Sequence, residues 1–113
     1  MNLRQIELIN ILSEEIKKSD IYKEYLNSEK EIKNSEEVAL LSYKKDMALV
    51  QYEDALRHFD KNSKEVLEAS RHVSKAIFAL NNHELVIKYN KKLANLNYFL
   101  SEVNKELFGE IYD

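Results

Sequence analysis

Residues 84–107 read ELVIKYNKKLANLNYFLSEVNKEL, and within them Tyr89, Leu93, Leu96, Leu100, Val103 and Leu107 recur at alternating steps of four and three. At about 100° per residue such steps place all six side chains on one narrow stripe of an α-helix. A stripe of this kind is a packing seam and needs apolar partners. The preceding segment supplies one through Val66, Ala69, Val73, Ala76 and Leu80. The segment before that supplies another through Val38, Leu41, Ala48, Tyr52, Ala55 and Phe59, with Lys45 interrupting the pattern. Three seams of comparable length are expected to face one another, and the short Lys61–Ser63 link favours an antiparallel hairpin between the third and fourth helices.

Polar clusters punctuate these segments at Ser19-Asp20, Asn34-Ser35, Lys61-Asn62-Ser63 and Asn81-Asn82-His83. Side-chain oxygens there can accept from the free amides of a first helical turn, and a glutamate three residues on can answer the bond. Asn34 with Glu37, Asn62 with Glu65 and Asn81 with Glu84 have that spacing. Gly109, the single glycine, follows the last periodic segment and suits a helix C-terminus. Helices are therefore expected near 3–18, 20–33, 35–60, 63–81 and 83–108. No stretch sustains period-two alternation, so no strand competes. The expectation is an all-α chain, an antiparallel helical hairpin or bundle of about five helices with long third and last members, forming a single domain over residues 1–113.

Composition removes most chemistries. There is no cysteine, hence no disulfide, thiolate metal site or cysteine nucleophile. With no proline and one glycine, glycine-rich phosphate loops cannot be built. Seventeen Lys and Arg against twenty Asp and Glu leave a net charge of −3, opposite to the basic footprint of a nucleic-acid binder, so no direct nucleic-acid binding is expected. No uncharged stretch approaches the roughly 20 residues needed to cross a bilayer, and the opening MNLRQIELIN has neither a basic region nor a long apolar one. Membrane insertion is not expected, and the location expected is cytoplasmic.

Three histidines are the obvious candidates for catalysis. His58 lies one turn after Asp54 and His72 one turn after Glu68, so each pair could present a carboxylate and an imidazole on one helix face. That is the basis of an alternative reading, a metal–carboxylate bundle enzyme. The Glu-x-x-His spacing of di-iron bundles is absent, since Ala55, Ala69 and Leu80 stand three residues before His58, His72 and His83. Exposed charge pairs are the simpler account. The serines lack a Gly-x-Ser-x-Gly elbow. The pairs Lys17-Lys18, Lys44-Lys45 and Lys91-Lys92 lie among acids and read as solvated faces. No catalytic residue, metal ligand or cofactor site is assigned. Tyr52 and Tyr89 fall on seams, whereas Tyr22, Tyr25, Tyr43 and Tyr98 fit contacts with a protein partner better than base stacking.

The third helix carries a second apolar face. Leu40, Tyr43, Met47 and Val50 cluster roughly 140° from its seam at about 100° per residue. One face cannot hide the other. The second must be met by the N-terminal helices, by another chain, or by both, and a homodimer with Met47 and Val50 near the contact is favoured.

From about Ile11 onward the chain resembles the YlbF/YmcA family of small helical proteins from Gram-positive bacteria. The likeness rests on two stretches. One is SDIYKEYLNSEKEIKNSEEVALLSYKKD, where a short helix starts at a small polar residue, a tyrosine follows, and a long helix opens on glutamates. The other is NNHELVIKYNKKLANLNYFLSEVNKELFGEI, with Val86, Tyr89, Leu96, Leu100, Val103 and Ile111. The resemblance implies an all-helical, self-associating cytosolic protein without enzymatic activity. Some members act in a complex linked to the ribonuclease RNase Y, with consequences for mRNA maturation, competence, sporulation and biofilm formation. Members of that complex hold iron–sulfur clusters through cysteines, and with no cysteine here cluster binding does not carry over. The chain looks closer to the short, cysteine-free branch represented by YheA.

Overall fold

The computed structural model describes residues 2–112, and their side chains as far as residue 106. Five helices follow in order: α1 (Leu3–Lys18), α2 (Asp20–Lys33), α3 (Glu36–His58), α4 (Lys64–Asn81) and α5 (Glu84–Tyr112). No strand occurs among the described residues. The all-α expectation and the five segments are met, with no boundary shifted by more than two residues apart from the end of α5.

The caps differ from the expected boxes. Ser35, not Asn34, caps α3, its Oγ accepting from the Val38 amide at 3.1 Å. Glu36 and Glu37 both lie in the first turn, where the positive end of the helix dipole favours them. Ser63 rather than Asn62 caps α4, accepting from Val66 at 3.3 Å. Asn81 is the last residue of α4 and Asn82 its C-cap, with Asn82 Nδ2 donating to the Phe78 carbonyl at 2.8 Å. The start of α5 falls to His83, whose carbonyl accepts from Val86 and Ile87. Asn2 and Gln5 form a reciprocal capping box on α1 that the sequence reading did not single out. Ser19 serves two helices: its Oγ donates to the Ile16 carbonyl at 2.6 Å, ending α1, and accepts from the Tyr22 amide at 3.3 Å, starting α2. Gly109 does not end α5. The helix runs through it to Tyr112 with no positive-φ glycine among the described residues, since a lone glycine costs a helix only about 1 kcal/mol and need not break it.

The described chain falls into two compact units, one of residues 31–87 and one that joins the described residues before 31 to those after 87. In the first, α3 and α4 pack closely along their length as an antiparallel hairpin across residues 59–63. The seams are the buried stripes: Val38, Ala48 and Val66 are buried, with Leu41, Tyr52, Ala55, Ala69, Val73, Ala76 and Leu80 half-buried. Alanines at four of these positions leave little side chain between the backbones, which allows the close approach. Lys45 stays on the seam half-exposed, its amine 3.6 Å from Asp46, so its stem can cover the seam while its charge remains in water. Phe59 departs from expectation. α3 ends at His58, and Phe59 is an extended C-cap whose ring is exposed.

The second unit joins α1, most of α2 and α5 from Lys88 onward. Its half-buried stripes include Ile9, Leu12 and Ile16 on α1 and Ile21, Tyr22 and Tyr25 on α2. Leu96 is buried, as its place in the middle of the seam led one to expect. Leu100 is exposed instead of buried, and Phe99 takes the half-buried position beside it. The seam resumes beyond it, with Val103 half-buried. The side chains of Leu107 and Ile111 lie outside the described residues. Tyr25 and Tyr89 meet with ring centroids 5.6 Å apart and hydroxyls 3.4 Å apart, and Lys92 reaches Glu24 at 3.1 Å.

Candidate interaction surface

The apolar face of α3 is laid out by helix geometry alone. Leu40, Tyr43, Met47 and Val50 are spaced three, four and three residues apart, the interval that keeps side chains on one line of a helix. All four are exposed, at 53%, 62%, 40% and 56%. Single exposed leucines are ordinary, but four large apolar side chains in one row form a ridge. Beyond Val50 the surface dips into a shallow depression of about 210 Å³ lined by Val50, Gln51, Glu53, Asp54 and Arg57. Glu36, Asp54 and Arg57 continue the same line at its two ends, and all are exposed. The face is therefore an apolar strip about three turns long, acidic at one end and mixed in charge at the other.

A second apolar feature belongs to the unit of the chain ends. An open groove of about 780 Å³ runs between Ile9, Leu12 and Ile16 of α1 and Leu100 and Val103 of α5. Tyr22 lines it. Of the tyrosines expected at a partner contact, Tyr43 and Tyr98 are exposed, whereas Tyr25 is taken up by Tyr89. The hydrogen bond to Tyr89 holds the Tyr25 phenol well above its ordinary pKa, with desolvation and the neighbouring Glu29 adding to the shift.

The histidines do not converge. His58 Nε2 lies 3.4 Å from Asp54 Oδ1, with both side chains about two-thirds exposed, and His72 is exposed on α4. No group of three or more His, Cys, Asp or Glu that could hold a metal occurs among the described residues. His83 has a structural task instead. Its Nδ1 accepts from the Leu85 amide at 3.1 Å, leaving Nε2 to donate to Glu37 at 2.9 Å. One ring thus caps α5 and ties its start to the first turn of α3. The lysine pairs sit among acids, Lys17 at 3.9 Å from Glu14 and Lys92 at 3.1 Å from Glu24. Ser19, Ser35 and Ser63 spend their hydroxyls on helix ends. No helix among the described residues is long and apolar enough to cross a membrane.

Sequence reasoning found the α3 ridge but passed over the depression beside it and the role of His83.

Comparison with known proteins places this arrangement. No curated protein matches the chain. Among solved structures, the X-ray crystal structure of Bacillus subtilis RicA in complex with RicF superposes with a TM-score of 0.86 at 22% identity, covering 99% of this chain and 96% of the other. At that identity the likeness speaks for the fold. The family model described as "Control of competence regulator ComK, YlbF/YmcA" matches residues 6–111. With nearly the whole described chain inside that match, the protein belongs to the YlbF/YmcA family.

Proposed function

We propose that this chain is a non-catalytic helical adaptor of the cytoplasm. It pairs with a second copy of itself through Leu40, Tyr43, Met47 and Val50 and, as an assembled dimer, engages protein partners of RNase Y-dependent mRNA processing, with effects on competence, sporulation or biofilm formation. The observation that carries the reading is the α3 ridge, four large apolar side chains exposed in one row. The family supports a regulatory role, since its description concerns control of a competence regulator. The related RicA was crystallised with another protein, RicF, a precedent for association within this fold.

Val50→Lys tests the pairing, with mass read by light scattering and helicity by circular dichroism. A dimeric wild type and a folded, monomeric variant are the expected pair of results. An unfolded variant assigns Val50 to the chain's own core, and a wild type that is monomeric at high micromolar concentration removes the homodimer. The regulatory part has its own readout: in a strain lacking the gene, the wild-type chain should restore processing of RNase Y-dependent transcripts and Val50→Lys should not. Restoration by the variant would detach function from the ridge.

A further inference from the structure

From the order of residues along the α3 line we infer that a second copy of this chain docks on it antiparallel, with the two-fold axis level with Lys45. This rests on the pairing proposed above and adds its direction and register. The line reads Glu36, Leu40, Tyr43, Met47, Val50, Asp54, Arg57, with steps of four and three throughout. Such a line is a heptad seam, and two copies can meet along it in either direction.

Parallel pairing sets each residue against itself. Glu36 then faces Glu36 of the other copy, Asp54 faces Asp54 and Arg57 faces Arg57, three like-charge layers, with both helix dipoles pointing the same way. Antiparallel pairing about position 45 sets Leu40 against Val50 and Tyr43 against Met47, twice each, giving four continuous apolar layers. Arg57 then falls within about one turn, roughly 5 Å, of Glu36 on the other copy. The dipoles oppose. One unfavourable layer remains, Glu36 against Asp54 at each end. The apolar strip is only about 16 Å long, far short of a standard interface of about 1,600 Å² if it acts alone, so the dimer is expected to be of micromolar strength.

Because the chain contains no cysteine, single introduced cysteines report this geometry without background. Tyr43→Cys and Met47→Cys are made separately and kept folded as judged by circular dichroism. Each is oxidised alone and then as an equimolar mixture under mild conditions. Disulfide dimers that form chiefly in the mixture, joining one variant to the other, are expected, and Leu40→Cys with Val50→Cys should behave alike. Efficient self-crosslinking of each single variant indicates parallel pairing and overturns the inference. Absence of crosslinks from the cysteine variants, singly and mixed, when the wild-type chain is dimeric overturns it too while leaving the adaptor reading standing, whereas a monomeric wild type removes both. A second measurement reads the end layer: Asp54→Asn should tighten the dimer by about two- to fivefold and Arg57→Glu should weaken it by a similar factor. The opposite signs would contradict the register.

Discussion

Ser28 is the most deeply buried side chain in the described structure, 1% exposed on a helix that is otherwise half solvated. Its hydroxyl donates to the Tyr25 carbonyl at 2.7 Å, so nothing polar is left unpaired. That carbonyl lies inside α2 and is already available to the helix's own amide ladder, which makes the hydroxyl dispensable and the small volume the requirement. Ser28→Ala should therefore change stability by less than about 0.5 kcal/mol, whereas Ser28→Leu should cost about 1 to 3 kcal/mol through overpacking. Urea titration of the two variants checks both numbers, and a large loss in Ser28→Ala would show that the hydrogen bond is what matters. The serine was legible in principle. Ile21, Tyr25, Ser28 and Ile32 are spaced four, three and four apart, yet a search for apolar residues steps over a polar one in the stripe. Tyr25 shows the converse: its phenol suggested a partner contact, and only a residue 64 positions away in the chain, Tyr89, decides that it is already engaged.

At the scale of the element, the helices were readable because each seam repeats over several turns and each start carries a side-chain acceptor. What local patterning could not settle was which of two adjacent polar residues caps. At 34 and 35 the serine wins, and at 62 and 63 likewise. The start of α5 was misread for a different reason, since imidazole is seldom counted as a cap and its value here comes from Glu37, 46 residues away in the chain. His83→Asn keeps an acceptor for the α5 amides but loses the link to Glu37, and His83→Ala loses both. The expected order of stability is wild type, then Asn, then Ala, with Ala costing about 1 to 2 kcal/mol. Equal losses for the two variants would show that capping contributes nothing and the Glu37 link everything. The α3 ridge was visible from the same periodicity that revealed the seam, because a helix with two apolar stripes announces two partners. The depression beside Val50 was not, since it arises from the gaps between charged side chains.

At the scale of the molecule, the two compact units raise the matter of cooperativity. The expectation for a chain of this length is a single unfolding transition. Leu96→Ala and Val66→Ala probe it from the two units, each removing a buried apolar side chain. Leu96→Ala should cost about 2 to 5 kcal/mol and Val66→Ala somewhat less, both lowering the midpoint of one common transition. Two separable transitions, each moved by only one substitution, would instead make the units independent domains. The composition of the units also has a consequence in time. Residues 31–87 are one continuous stretch, whereas the other unit draws on the described residues before 31 and on those after 87. A ribosome making the chain delivers α1 first and the helix it belongs with last. The whole hairpin of α3 and α4 is synthesised in the interval, and throughout it Ile9, Leu12 and Ile16 wait without α5, their apolar sides open to any chaperone nearby.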